Sequence, residues 1–116
     1  MKIGIVLAVE LDAIFIYYKE VKELKSELDF PLYYISKGNN EIYVIKSNVG
    51  LVHAAMATQY LISKYHVDVI LNFGVVGALT TEISKTDICI VSHAVHYNFD
   101  LSEIDRIDEI VIRREE

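Results

Sequence analysis

SNVGLVHAAMATQYLISKYHVDVILNFGVVGAL, residues 47–79, is the stretch that decides the fold. Residues 51–65 place small or apolar side chains (Ala54, Ala55, Met56, Ala57, Leu61, Ile62) around most of a helical circumference. That pattern predicts a largely buried helix. Residues 67–73 (VDVILNF) follow as another apolar run, read as a strand. The run ends in Gly74-Val75-Val76-Gly77-Ala78. A buried helix feeding an apolar strand and then a glycine turn is one repeat of an α/β domain with a mainly parallel sheet.

Working towards the N-terminus, residues 41–47 (EIYVIKS) and 32–37 flank Gly38-Asn39-Asn40 and read as an antiparallel hairpin with a loop of three to four residues. Residues 2–9 (KIGIVLAV) are almost continuously apolar and β-branched, as in a central strand. From Glu10 the period changes: Ile14, Tyr17, Tyr18, Val21, Leu24 and Leu28 recur at three- and four-residue steps, predicting an amphipathic helix. In the other direction, residues 87–95 (DICIVSHAV) and 107–112 are further strand candidates. There is no internal repeat, and the reading is a single domain over residues 1–116.

Composition agrees. A chain of 116 residues, 53% hydrophobic and 24% charged, suits one compact core. One proline and five glycines exclude a collagen-like or linker composition, and a lone Cys89 excludes an internal disulfide. The single cysteine points to the cytoplasm. The net charge of −6 opposes the counterion-release term behind nucleic-acid affinity, so nucleic acid is not an expected partner. Seven acids and three arginines crowd residues 100–116, an acidic segment read as a solvated face. The apolar run 3–9 is too short to span a membrane, and no Asn-x-Ser/Thr acceptor occurs.

Four features could carry chemistry. Glu10 and Asp12 stand where the first strand gives way to a helix, at the edge where open α/β sheets place ligands. They either complement the helix dipole or hold and deprotonate a water. Val49 and Gly50, in the turn Ser47-Asn48-Val49-Gly50, offer backbone N–H groups to an anion or a sugar hydroxyl, or merely serve the turn. The glycines of Gly74-Val75-Val76-Gly77 let backbone approach a ligand or a neighbouring element. His53 is either a capping residue or a catalyst. Neither glycine turn matches a dinucleotide fingerprint or a P-loop, so no cofactor is expected. His93 and His96 fall on opposite faces of an extended segment and, with Asp100, make no metal site. Cys89 reads as a buried apolar thiol, and Tyr17, Tyr18, Tyr33, Tyr34, Tyr60 and Tyr65 as core or cross-strand aromatics.

Three ordered blocks, MKIGIVLAVELD, residues 47–79 and TDICIVSHAVHYNFD, resemble the N-terminal half of the nucleoside phosphorylase superfamily. The match is to its 5′-methylthioadenosine/S-adenosylhomocysteine nucleosidase branch. It covers about residues 1–100; residues 101–116 match no motif. The resemblance implies a three-layer αβα sandwich with a mixed, mainly parallel sheet, truncated relative to the family. It also implies a hydrolase of methionine salvage that cleaves adenine from a 5′-thioribose.

The family's water-binding carboxylate falls at Asp12, one methylene shorter than the usual Glu, with Glu10 as the second candidate. Its ligand-facing backbone falls on Val75, Val76 and Gly77, with Val75 where a hydroxyl residue is common. No arginine precedes Arg106, which favours water over phosphate as the nucleophile. The family's purine-contacting aromatic, its Met-Glu ribose grip and its purine-protonating Asp belong to a C-terminal half beyond the matched motifs. The expected partners are therefore a purine nucleoside and either a second copy, through residues near Phe99, or a complementary C-terminal chain. The alternatives are an inactive nucleoside-binding or oligomerisation module, and a phosphorylase.

Overall fold

A computed structural model describes residues 1–95. The chain divides into two compact units, Met1–Val76 and Gly77–Glu116. The first unit contains β1 (Lys2–Leu7), α1 (Leu11–Tyr17), β2 (Lys22–Leu24), β3 (Leu32–Lys37), β4 (Asn40–Lys46), α2 (Leu51–Tyr65) and β5 (Val69–Phe73). They build one mixed sheet in the order β2-β3-β4-β1-β5. β1 is an interior strand and pairs in parallel with both β4 and β5, whereas β2 with β3 and β3 with β4 are antiparallel.

Side chains alternate across this sheet with the two-residue period of a strand, and the two faces have separate cores. Val6, Leu32, Tyr43 and Ile45 pack with Ala57 and Leu61 of α2. Leu7, Ile35, Ile42 and Val44 pack with Ile14 of α1. Helices on both faces explain why β1 reads as an almost continuous apolar run. The arrangement is the three-layer α/β fold expected from the sequence. Gly4 permits the close approach of α2: a Cβ there would stand 2.8 Å from Ile70 Cδ1 and 3.0 Å from Leu61 Cδ1.

Several expectations are corrected. The first helix stops at Tyr17, because Tyr18 adopts extended backbone (φ −110°, ψ 110°). The later apolar positions could not share one helical face: Val21 joins the α1-side core, while Leu24 and Leu28 join the α2-side core. Residues 22–24 instead form the edge strand β2, whose exposed Lys22 and Glu23 discourage pairing with another chain. Tyr17 is 82% exposed rather than core-facing. The hairpin closes with two residues, Lys37 pairing with Asn40, rather than three or four.

The second helix has the expected bounds but is not largely buried. Ala57 and Leu61 are covered, while Leu51, Val52, Met56 and Ile62 are exposed. Residues 74–95 contain neither helix nor strand, so the expected strand 87–95 is absent. An extended segment needs a ladder partner to satisfy its backbone, and none lies beside it among the described residues of its unit. Cys89, in that segment, is exposed, not buried. His96, Asp100, Phe99 and residues 101–116, including the candidate strand 107–112, lie outside the described residues.

Candidate functional site at the carboxyl edge of the sheet

The three parallel strands end level with one another: Leu7 of β1 is in register with Lys46 of β4 and with Phe73 of β5. The turns that follow, residues 8–10, 47–50 and 74–76, therefore emerge along one edge, the side on which open α/β sheets bind ligands. Ser47 joins two of these strand ends. It is buried, its amide donates to the Leu7 carbonyl at 2.9 Å, and its hydroxyl lies 3.3 Å from the Leu7 oxygen and 2.9 Å from that of Asn48.

The turn after β4 then reverses sharply into α2. Asn48 has φ 62° and Gly50 φ 122°, a backbone conformation that favours glycine. Gly50 precedes the helix with no side-chain cap, and its carbonyl accepts from the Ala54 amide at 3.0 Å. His53 Nδ1 lies 3.0 Å from the Val49 carbonyl, which makes Nδ1 the protonated ring nitrogen. The His53 ring also meets Phe30 edge to face at 5.9 Å. His53 thus braces the first turn of α2, and the Val49 side chain is left open to solvent.

The two candidate carboxylates differ in their surroundings. Glu10 Oε2 accepts from the amides of Val9 at 2.9 Å and Ala8 at 3.2 Å. The Val9 amide, opposed by burial and supported by the amides of Glu10, Ala8 and Val75, holds this carboxyl below its ordinary value. Oε1 of Glu10 lies 3.8 Å from where a Cβ on Gly74 would stand. Asp12, in the first turn of α1, is exposed, and among the described residues no hydrogen bond or ion pair engages its carboxylate.

Glu10 and the start of the turn after β5 are thus brought together. Val75 and Val76 carry exposed side chains, and Gly77 opens the second unit. Ser47 and the amides of Ala8 and Val9 are the contributors that residue-type reasoning passes over; only a serine closing an apolar strand hinted at the first. A cleft of about 300 Å³ lined by Phe15, Tyr18, Lys19, Val21, Glu23 and Tyr33 contains none of the candidate residues. His93 Nδ1 pairs with Ser92 Oγ at 3.2 Å. No helix among the described residues is long and apolar enough to cross a membrane.

Comparison with known proteins places this edge in context. The family model of the phosphorylase superfamily matches residues 2–110. The 5′-methylthioadenosine/S-adenosylhomocysteine nucleosidase of Buchnera aphidicola subsp. Acyrthosiphon pisum is 34% identical over 111 residues; the match covers 88% of this chain and 44% of that protein. The crystal structure of the S-adenosylhomocysteine nucleosidase of Streptococcus pyogenes in complex with 5-methylthiotubericidin superposes with a TM-score of 0.79 at 27% identity. It is matched over 89% of this chain and 44% of the other. A mutant of Helicobacter pylori MTAN with 5′-methylthioadenosine in the active site gives a TM-score of 0.84 at 26% identity, over 98% and 53% of the two chains. The chain spans less than half the length of the curated relatives it matches.

Proposed function

Because the chain belongs to the phosphorylase superfamily, we propose that it forms part of a hydrolase that cleaves the N-glycosidic bond of 5′-methylthioadenosine-like purine nucleosides. The relatives named as nucleosidases support this reading, as does the exposed Asp12 carboxylate at the carboxyl edge. In such a cleavage the C1′–N9 bond breaks, adenine leaves with its bonding pair, and water forms the new C1′–O bond while losing a proton. Positive charge accumulates on the ribose on the way, and a carboxylate that orients the water also stabilises that charge. Asp12 takes this role. Val49, Gly50, Val75, Val76 and Gly77 supply the ligand-facing backbone. Water is the nucleophile, since no arginine precedes Arg106 to hold phosphate.

The groups that grip the purine and protonate it belong to the part of the relatives' length that this sequence does not match. The place proposed for that part is beside β5, whose one strand partner among the described residues is β1 and whose Val69, Leu71 and Phe73 are exposed. A second copy of the chain on that side is the competing arrangement, and the cytoplasm is the expected setting.

The test combines this chain with the remaining portion of the Buchnera relative and follows adenine release from 5′-methylthioadenosine. Release without added phosphate is expected, and Asp12→Asn should lower it by about 10²–10⁴-fold. Release that requires phosphate would make the protein a phosphorylase. Nucleoside binding without turnover in the stable assembly would leave a binding module.

A further inference from the structure

Glu10 and Asp12 are two residues apart, yet one carboxylate is engaged by backbone and the other is exposed, with no partner among the described residues. β1 and β5 are paired up to Leu7 and Phe73, and beyond that register no ladder bond joins them. Past that point the Glu10 side chain extends from the end of β1 towards the start of the turn after β5. Its Oε2 receives the Ala8 and Val9 amides at 3.2 and 2.9 Å. Its Oε1 faces residue 74, within van der Waals reach of the position a side chain there would occupy.

We propose that Glu10 is a positioning residue whose carboxylate clasps the end of β1 to the turn after β5, fixing the backbone at Gly74 and Val75 and leaving Asp12 as the water-holding group. A carboxylate accepting several backbone N–H groups is a poor base and a good anchor. The Val75 amide also favours the charged form of Glu10, consistent with a clasp that reaches the second turn. The clasp stands on the geometry of this chain; the consequence for Asp12 rests on the proposed nucleosidase reading.

The experiment is a pH titration of the ¹⁵N-labelled full chain, watching the amide signals of Ala8, Val9 and Val75. All three should move with one common midpoint below 4.5, the ordinary value of a glutamate. Glu10→Gln keeps one carbonyl acceptor and loses the charge. It should abolish that common movement with the far-UV circular dichroism unchanged, and should speed hydrogen exchange at Val75 about tenfold. Asp12→Asn should leave the movement in place.

A Val75 amide that ignores both pH and Glu10→Gln would overturn the clasp, as would a common midpoint that disappears in Asp12→Asn. If Glu10→Gln fails to fold, the wild-type and Asp12→Asn titrations decide alone. These signals need no turnover, so a failure to release adenine leaves the clasp standing and indicts only the enzymatic reading. In an active assembly Glu10→Gln should raise KM about tenfold with kcat nearly constant, since Glu10 touches no reacting atom. A loss confined to kcat would assign it to the chemistry instead.

Discussion

Changing Gly4 and Leu61 together probes how closely α2 is seated on β1. Leu61 is fully buried, and its Cδ1 would stand 3.0 Å from a Cβ at residue 4, with Ile70 Cδ1 at 2.8 Å and Val67 Cγ2 at 3.3 Å. Leu61→Ala removes a core side chain and should cost about 2–5 kcal/mol, towards the upper end if the void stays open. Gly4→Ala adds a methyl against the ends of flexible side chains, which can shift; an overpacking cost of about 1 kcal/mol is expected. That cost is partly offset by about 0.5–1 kcal/mol from replacing glycine inside a strand.

In the double variant the new methyl enters the space that Leu61 vacates. About 0.8 kcal/mol of burial returns, roughly one methylene's worth, and one of the close contacts is gone. The double variant should therefore be about 1 kcal/mol more stable than the sum of the single changes predicts. Urea unfolding of the four proteins, followed by circular dichroism with a common m value, measures this directly. Additivity within about 0.3 kcal/mol would refute the seating, as would a Leu61→Ala cost below about 1 kcal/mol.

Other outcomes follow from single sites. Asp12→Glu, which restores the methylene usual in the family, should keep or raise adenine release where Asp12→Asn lowers it; a loss equal to that of Asn would remove Asp12 from the water site. The exposed Glu27–Lys64 pair (2.8 Å), joined by the Tyr60 hydroxyl on Glu27, ties the segment before β3 to α2. Lys64 first and Tyr60 second hold Glu27 below its ordinary value, and Glu27 pushes Lys64 up. Its contribution should be full between the two ordinary values, fade in acid as pH falls through the folded Glu27 value, and fade in alkali as pH rises through the folded Lys64 value. The Tm difference between wild type and Glu27→Gln, scanned over pH and salt, checks this; a difference unchanged at 1 M salt would contradict it. Cys89 is exposed and should react with a thiol reagent as fast in native buffer as in urea.

Much of the fold was legible because burial on both faces leaves a run of apolar residues, as in β1, and because turn residues separate β3 from β4. The bounds of α2 were readable from its helical repeat, but its burial was not. Apolar residues such as Val52 and Ile62 look alike whether or not a neighbour covers them. The first helix was overextended because Val21, Leu24 and Leu28 mimic a helical stripe while serving two different cores. At the site, sequence could offer Glu10 and Asp12 only as two acids at a strand end. What separates them is the direction in which the Ala8 and Val9 amides point, a property of the backbone that no residue type announces.

The interior place of β1 carries a consequence for synthesis. β1 is made before both strands it pairs with, so Ile3 waits for Ile42 and then for Val69. At about 5–20 residues per second, the wait for the first partner alone is roughly 2–8 s. The β3–β4 hairpin and α2, whose contacts are local, can form soon after they emerge, whereas β1 must close long loops before it is rewarded. An apolar strand made before both of its partners is thus enclosed late, which makes its residues a natural target for a chaperone.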